Sequence, residues 1–260
     1  MAKTQTIQTR TEAPLAMPSY AGKVQGKASS AAADNQPKPR IKLIQGSSKI
    51  ELKKQFGEGA VVLSPDNTLL GKAEDPFVAV PLFLYETYEL HADINDKTTA
   101  MVVLESTTDP RSNLARQCLA VTPEARTRKY GDGFTAKANH VLNAVLMLDD
   151  GQFGVASWKI KGGGSRSGKK FAGIIARREQ SGVWCYMNRL AFKSAPVEAN
   201  GYSWWTLTAD NPESNPFIPE ADIEKYKAMH DQLERMHSAG GIAVQAETAD
   251  DATTDDDLPV

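Results

Sequence analysis

The chain has little of what metal sites, disulfide scaffolds and membrane spans require. It carries 2 cysteines and 4 histidines among 260 residues, and neither type occurs at the spacing of a zinc or redox motif. We expect no signal peptide, and no apolar run of about 18 residues occurs in the sequence. We therefore expect a cytoplasmic protein with no metal, no cofactor and no membrane contact, in which Cys118 and Cys185 are ordinary buried thiols.

One stretch of the sequence has no acidic residue, and another has no lysine or arginine. Residues 153–178 contain 7 lysines and arginines and no acid, whereas residues 236–260 contain 6 acids and no lysine or arginine. Because the whole chain has a net charge of −2, residues 1–235 carry +4. Residues 1–235 are therefore basic overall and should attract polyanions, whereas the C-terminal end is itself a short polyanion.

Composition divides the chain into a body and two tails. Residues 1–39 are rich in Ala, Thr, Ser, Gln, Lys and Pro, and they hold too few apolar residues to form a core. We predict a disordered N-terminal arm over 1–39, a folded domain over 40–238 and a disordered acidic tail over 239–260.

The body reads as mainly β with inserted helices, an α+β class, because short apolar runs alternate with Gly, Pro and Asn turn signals. We expect an antiparallel β barrel of the OB type. Residues 77–90 should form a long strand or a strand pair, with Pro81 at an edge or a bulge. Short β elements are expected over 39–71, with a helical turn at 50–56. Further strands are expected at 99–106, 140–148, 153–161, 183–194 and 201–210, a long excursion with helical turns at 109–134, and helices at 171–178 and 220–237.

One segment satisfies most of a phosphate-binding P-loop. Gly163 to Lys169 matches its first seven positions, but Lys170 stands where Ser or Thr would hold magnesium. The surrounding strands also lack the βαβ pattern that such enzymes need. We interpret the segment as a basic phosphate-binding loop and predict a non-enzymatic protein, with a P-loop-like nucleotide-binding enzyme as the least favoured alternative.

All 4 tryptophans fall in the same third of the chain as the basic stretch. Single-stranded nucleic acid is bound by aromatic rings that stack on bases and by cations that follow the phosphates. The predicted phosphate contacts are Lys159, Lys161, Arg166, Lys169, Lys170 and Arg177. The predicted stacking residues are Trp158, Trp184, Tyr186 and Trp204.

The last six residues are Asp255, Asp256, Asp257, Leu258, Pro259 and Val260. They resemble the acidic tip of bacterial and bacteriophage single-stranded DNA-binding proteins. The bacterial tip ends with Phe, whereas this chain ends with Val260. In that family the tip recruits replication and repair enzymes and competes with DNA for the binding groove. The resemblance implies the same partners for this tail and, for a phage protein, a place in the host cytoplasm.

Together these features predict a bacteriophage single-stranded DNA-binding protein that coats and protects DNA during replication, recombination and repair. A structural or assembly protein of a virion remains the principal alternative, with arm and tail making subunit contacts. The sequence leaves the oligomeric state open, a homo-oligomer included.

Overall fold

The computed structural model describes residues 39–93, 103–129, 135–148, 154–160, 165–199 and 201–239. The predicted arm and acidic tail lie outside these residues, except for Pro39 and Ala239. Within them the chain is mainly β with inserted helices, as the sequence predicted. None of the helices described in these segments is long and apolar enough to cross a membrane.

Ten strands and five α-helices are described within these segments. The strands are β1 Arg40–Leu43, β2 Val61–Ser64, β3 Thr68–Gly71, β4 Phe77–Asp93, β5 Val103–Thr107, β6 Thr127–Lys129, β7 Thr135–Leu148, β8 Gly154–Ile160, β9 Leu190–Ala199 and β10 Tyr202–Asp210. The helices are α1 Ile50–Phe56, α2 Asn113–Cys118, α3 Pro123–Arg126, α4 Ser165–Glu179 and α5 Ile223–Ser238. Two 3₁₀ turns occur at Cys185–Met187 and Glu220–Asp222.

The strands form one sheet in the order β10-β9-β4-β7-β8-β1-β2-β3, with β5 added to β4 and β6 added to β7. The pairs are antiparallel except for a single parallel contact between Arg40 and Ser157, which joins β1 to β8. The β7–β8 hairpin was predicted from the sequence and is confirmed. A register shift between Pro81 and Phe83 confirms the bulge that Pro81 predicted.

The long β4–β7 pair belongs to two hydrophobic cores. β4 pairs with β9 only at its start, residues 77–79, then with β7 from Ala79 to Asp93, and its residues 88–91 also pair with β5. The larger core includes Trp158, Phe171 and Phe192, and the smaller one packs α2 residues such as Leu114 against Leu90. Each core therefore uses a different stretch of the same strand.

The sheet curls, and the side chain of Gln45 spans the gap that remains. Gln45 follows β1, whereas Trp205 lies in β10, several strands away in the sheet order. Trp205 N–H donates to Gln45 Oε1 at 2.9 Å, and Gln45 Nε2 donates to the Trp205 carbonyl at 2.7 Å. A Cβ atom on residue 59 would lie only 2.7 Å from the Trp205 ring, too close for any side chain, which explains the glycine at that position.

The helices α4 and α5 confirm the two main helical predictions. Phe171 and Ile175 of α4 are buried in the larger core, where the ring of Phe171 lies 5.6 Å from that of Trp158 and 5.7 Å from that of Phe192. Tyr226 is the residue of α5 that is buried in the same core. Amphipathic spacing thus identified both buried faces.

Two strand predictions need correction. Residues 183–189 were expected to be extended, but they contain the 3₁₀ turn at Cys185–Met187, and β9 begins only at Leu190. The consecutive residues Cys185 and Tyr186 are both buried, so burial there does not alternate as it would in a strand. Residues 99–106 were expected to form a buried strand, but β5 pairs only with β4 among the described strands, and its residues 104–106 are exposed.

Candidate nucleic-acid interface

A row of cations lies on the exposed side of α4. Arg166, Lys169, Lys170 and Arg177 recur at three- and four-residue intervals or multiples of them, so they share one face of the helix. All four are exposed, whereas Phe171 and Ile175 on the opposite face are buried. We call Arg166, Lys169, Lys170 and Arg177 the cationic stripe.

Few acidic residues in the described part of the chain pair with the stripe. Lys170 forms an exposed ion pair with Asp210 of β10, with Nζ 3.1 Å from Oδ2. Among the described residues, Arg166, Lys169 and Arg177 have no ion-pair partner. The first acidic residue of α4 is Glu179, at its end. The stripe therefore remains able to attract an anion.

The C-terminal end of α4 fixes the position of an exposed tryptophan. Gly182 has a φ of +81°, and its N–H bonds the carbonyl of Glu179 while the Val183 N–H bonds that of Arg178. These two bonds form a Schellman cap, which stops the helix and turns the chain sharply. Trp184 follows the cap directly and is 52% exposed.

A second exposed ring, Phe217, lies near the same end of α4. The Arg178 guanidinium carbon is 5.4 Å from the centroid of the Phe217 ring, a cation–π contact. The ring itself is 42% exposed. We call Trp184 and Phe217 the ring pair. The ring pair lies at the C-terminal end of α4, where Arg178 contacts Phe217; Arg178 follows Arg177 in the sequence but points about 100° away from it around the helix axis.

Asn188 holds these parts together. Its side chain is fully buried and accepts a hydrogen bond from Arg178, which also donates to Asn211. The Asn188 amide group donates to the Trp184 carbonyl at 2.7 Å, and its backbone forms a β-bridge with Phe217. A buried amide thus links the helix end to the segments that carry both rings.

Two of the predicted stacking residues belong to the core. Trp158 is 7% exposed and packs its ring against Phe171 and Phe192. Tyr186 is 5% exposed, with its ring centroid 5.1 Å from that of His230. Since neither ring presents a free face, we remove Trp158 and Tyr186 from the predicted stacking set; aromatic residues bury large areas, and sequence alone does not distinguish inner from outer rings.

The other predicted contacts fall in different environments. Trp204 is half-buried, and its indole Nε1 is buried with no hydrogen-bond partner among the described residues. Lys161 and the tail residues Asp255, Asp256, Asp257, Leu258, Pro259 and Val260 lie outside the described residues. The P-loop-like match is not a loop throughout, because Ser165 to Lys169 form the first turn of α4.

Lys159 also departs from its predicted role, because it enters a buried polar cluster. Its Nζ lies 2.8 Å from Oε2 of Glu89, and Nε2 of His91 lies 2.7 Å from the same oxygen. Thr87 donates to Oε1 of Glu89 at 3.1 Å and accepts from Asn143 at 3.0 Å. Phosphate binding by Lys159 would compete with this fully buried carboxylate.

The surroundings of Glu89 determine its charge. Burial raises the pKa of Glu89, but the hydrogen bond to His91 and the charge and hydrogen bond of Lys159 outweigh it and lower the pKa to about 2. Both cysteines show the opposite balance, since burial raises the pKa of Cys118 to about 11 and that of Cys185 to about 12. Both thiols are free and buried, as the sequence predicted.

One group of potential metal ligands is present in the described part of the chain. His230, Asp231 and Glu234 of α5 have ligand atoms within 4.8 Å of one another. However, His230 Nδ1 lies 2.7 Å from the carbonyl oxygen of Leu82, and Asp231 accepts a hydrogen bond from Lys227 at 3.1 Å. These contacts account for two of the three side chains through packing and a surface ion pair, so we assign the group no function.

Sequence reasoning missed Phe217 and the role of Arg178. Phe217 stands between Pro216 and Pro219 in a polar segment, far along the chain from the basic stretch. An isolated aromatic residue in a proline-rich turn is a recognisable candidate for exposure. Its approach to α4, however, depends on the bridge to Asn188, which no local pattern predicts.

The chain matches no protein-family model, no curated protein and no solved structure.

Proposed function

We propose that the protein binds single-stranded DNA, with the cationic stripe of α4 following the phosphates and the ring pair stacking on bases. The observation that carries the proposal is that the helix that bears the stripe ends beside the exposed rings of Trp184 and Phe217. Cations alone would suit any polyanion, but rings beside them suit unpaired bases, whose faces are available for stacking. In duplex DNA the bases already stack on one another.

The fold is compatible with this function. We propose that the curled sheet, joined at its gap by Gln45 and Trp205, is an elaborated OB-type barrel. Small antiparallel barrels of this type bind oligonucleotides on an open face and its flanking loops. In this protein α4 and the segment that follows its cap supply the binding groups beside the sheet.

The acidic tail supplies the second half of the proposal. Its 6 carboxylates are tethered to residues 1–235, which carry a net charge of +4, so they compete with DNA for the stripe at low salt. When DNA displaces them, Leu258, Pro259 and Val260 become available to replication or recombination enzymes. Removal of residues 247–260 should tighten DNA binding and abolish such partners, whereas unchanged binding and partners would reduce the tail to a solubility element.

Fluorescence titration tests the DNA-binding proposal. Single-stranded oligonucleotides of mixed sequence should bind more tightly than the matching duplex and should quench tryptophan emission through Trp184. Affinity should fall steeply with salt, because each neutralised phosphate releases counterions. Replacement of Lys169 and Arg177 by Ala should weaken binding to all sequences and flatten the salt slope, with Lys225→Ala and Lys227→Ala on α5 as the matched control. Absence of binding at low salt would refute the proposal and favour a role in virion assembly.

A further inference from the structure

Gly173 lies at the middle of the exposed face of α4. It follows Lys169 and Lys170 by about one helical turn and precedes Arg177 by another. Lys170 and Arg177 are seven residues apart, which is about 10 Å along the helix axis. The stripe therefore has long cationic side chains on both sides of a position that has no side chain.

Packing within the described residues does not require this glycine. A Cβ placed on Gly173 would meet nothing within 4 Å, and the residue does not have a positive φ. Gly168, in the same helix, is different, because a Cβ there would lie 2.7 Å from the Ile160 side chain. Glycine inside a helix costs about 1 kcal/mol relative to alanine, so Gly173 lowers the stability of α4 with no compensating contact.

Glycine at such a position exposes the helix backbone to a close neighbour. The residues around it, Lys169, Lys170 and Arg177, attract phosphate, so the neighbour that fits is a nucleic-acid backbone. We infer that a single strand crosses α4 at Gly173, with its sugar–phosphate backbone lying against the helix between the lysines and Arg177. The inference rests on the proposed function and specifies where on the stripe the strand passes.

Substitution of Gly173 tests the inference, because it separates stability from binding. Gly173→Ala and Gly173→Leu should both raise the thermal unfolding temperature, since each adds helix propensity in open space. Both should weaken binding to a single-stranded oligonucleotide such as a 20-nucleotide poly(dT), alanine less than leucine, with a loss of about tenfold for leucine, equivalent to about 1.4 kcal/mol. The salt slope should stay unchanged, because no cation is removed.

Ala228→Leu provides the control, since it adds bulk at an exposed position of α5 outside the stripe. It should leave binding unchanged. If the wild-type protein binds the oligonucleotide and both Gly173 variants bind equally well, the inference is overturned while the proposed function stands. If the wild-type protein does not bind, the proposed function fails and the inference fails with it.

Discussion

The side-chain amide of Gln45 forms two hydrogen bonds with the backbone of Trp205. A residue of a neighbouring strand would form the same two bonds with its own backbone. The Trp205 N–H donates to Oε1 at 2.9 Å, and Nε2 donates to the Trp205 carbonyl at 2.7 Å. Gln45 is itself buried, so water cannot easily replace either bond. The Gln45 side chain thus connects the segment after β1 to β10, two parts of the sheet that are not paired as strands.

Loss of this bridge should destabilise the whole domain. Gln45→Leu keeps most of the volume but leaves the Trp205 N–H and carbonyl without partners, at an expected cost of about 1–3 kcal/mol for each unsatisfied group. Gln45→Glu should cost more, because a carboxylate would face the carbonyl oxygen. Urea unfolding measures both changes. Gln55→Leu, an exposed residue of α1, is the control, and equal stability of the Gln45 and Gln55 variants would contradict the role of the bridge.

Acid should destabilise the protein through Glu89. The folded-state pKa of about 2 lies below the ordinary value of 4.5, so the unfolded chain binds the proton more readily. The stabilisation is therefore complete above about pH 4.5 and is lost as the pH falls towards 2; a difference of this size corresponds to about 3 kcal/mol.

Glu89→Gln isolates that contribution. The variant should be less stable at neutral pH, because it leaves Lys159 and His91 beside a neutral amide, and its stability should change less between pH 5 and pH 2. Glu105→Gln, which removes one of the partners of Arg128 at an exposed site, should have little effect. If the stability of Glu89→Gln falls as steeply between pH 5 and pH 2 as that of the wild type, other carboxylates determine the acid sensitivity.

Trp184 and Trp158 should respond to substitution in opposite ways. Trp184→Ala should cost about 1–3 kcal/mol of single-strand binding, the usual contribution of a stacked ring, with little effect on folding. Trp158→Ala should cost about 3–5 kcal/mol of stability, because it opens a cavity among Phe171 and Phe192. Trp184→Phe should retain binding but lose most of the fluorescence quenching. Normal binding by Trp184→Ala would remove that ring from the interface.

Asp210→Asn should strengthen DNA binding. Asp210 occupies Lys170 with an exposed ion pair, so the substitution frees the lysine and removes a negative charge beside the stripe. One additional phosphate contact should steepen the salt slope by about 0.7. Adding Lys170→Ala should cancel the gain, and Asp231→Asn, which breaks a similar pair on α5, should give none. An unchanged affinity for Asp210→Asn would mean that Lys170 does not contact DNA.

Local sequence patterns predicted the helices and strands better than they predicted which residues of different elements contact one another. The spacing of Phe171 and Ile175 identified α4, and Pro81 identified the bulge in β4, because both depend on neighbours in sequence. The pairing of Glu89 with Lys159 depends on the register of β4, β7 and β8, which sequence periodicity does not determine.

The candidate site was predicted in part for the same reason. The basic residues of the stripe were identified from composition, but Arg166, Lys169 and Lys170 were expected in or just after a loop, whereas they lie in α4, which begins at Ser165. Which rings face outwards depends on tertiary packing: Trp158 lies under α4, whereas Trp184 is turned outwards by the cap at Gly182. Phe217 joins the site only through long-range contacts to Asn188 and Arg178.

The shared strand pair β4–β7 has a consequence for how the domain opens. The two cores lie along one continuous pair of strands. If β4 and β7 separate in one core, the pairing at the near end of the other core is therefore loosened as well. Amide protons near Thr87 and Val141 should therefore exchange with solvent only when both cores open together. The strand pair makes the two cores a single cooperative unit.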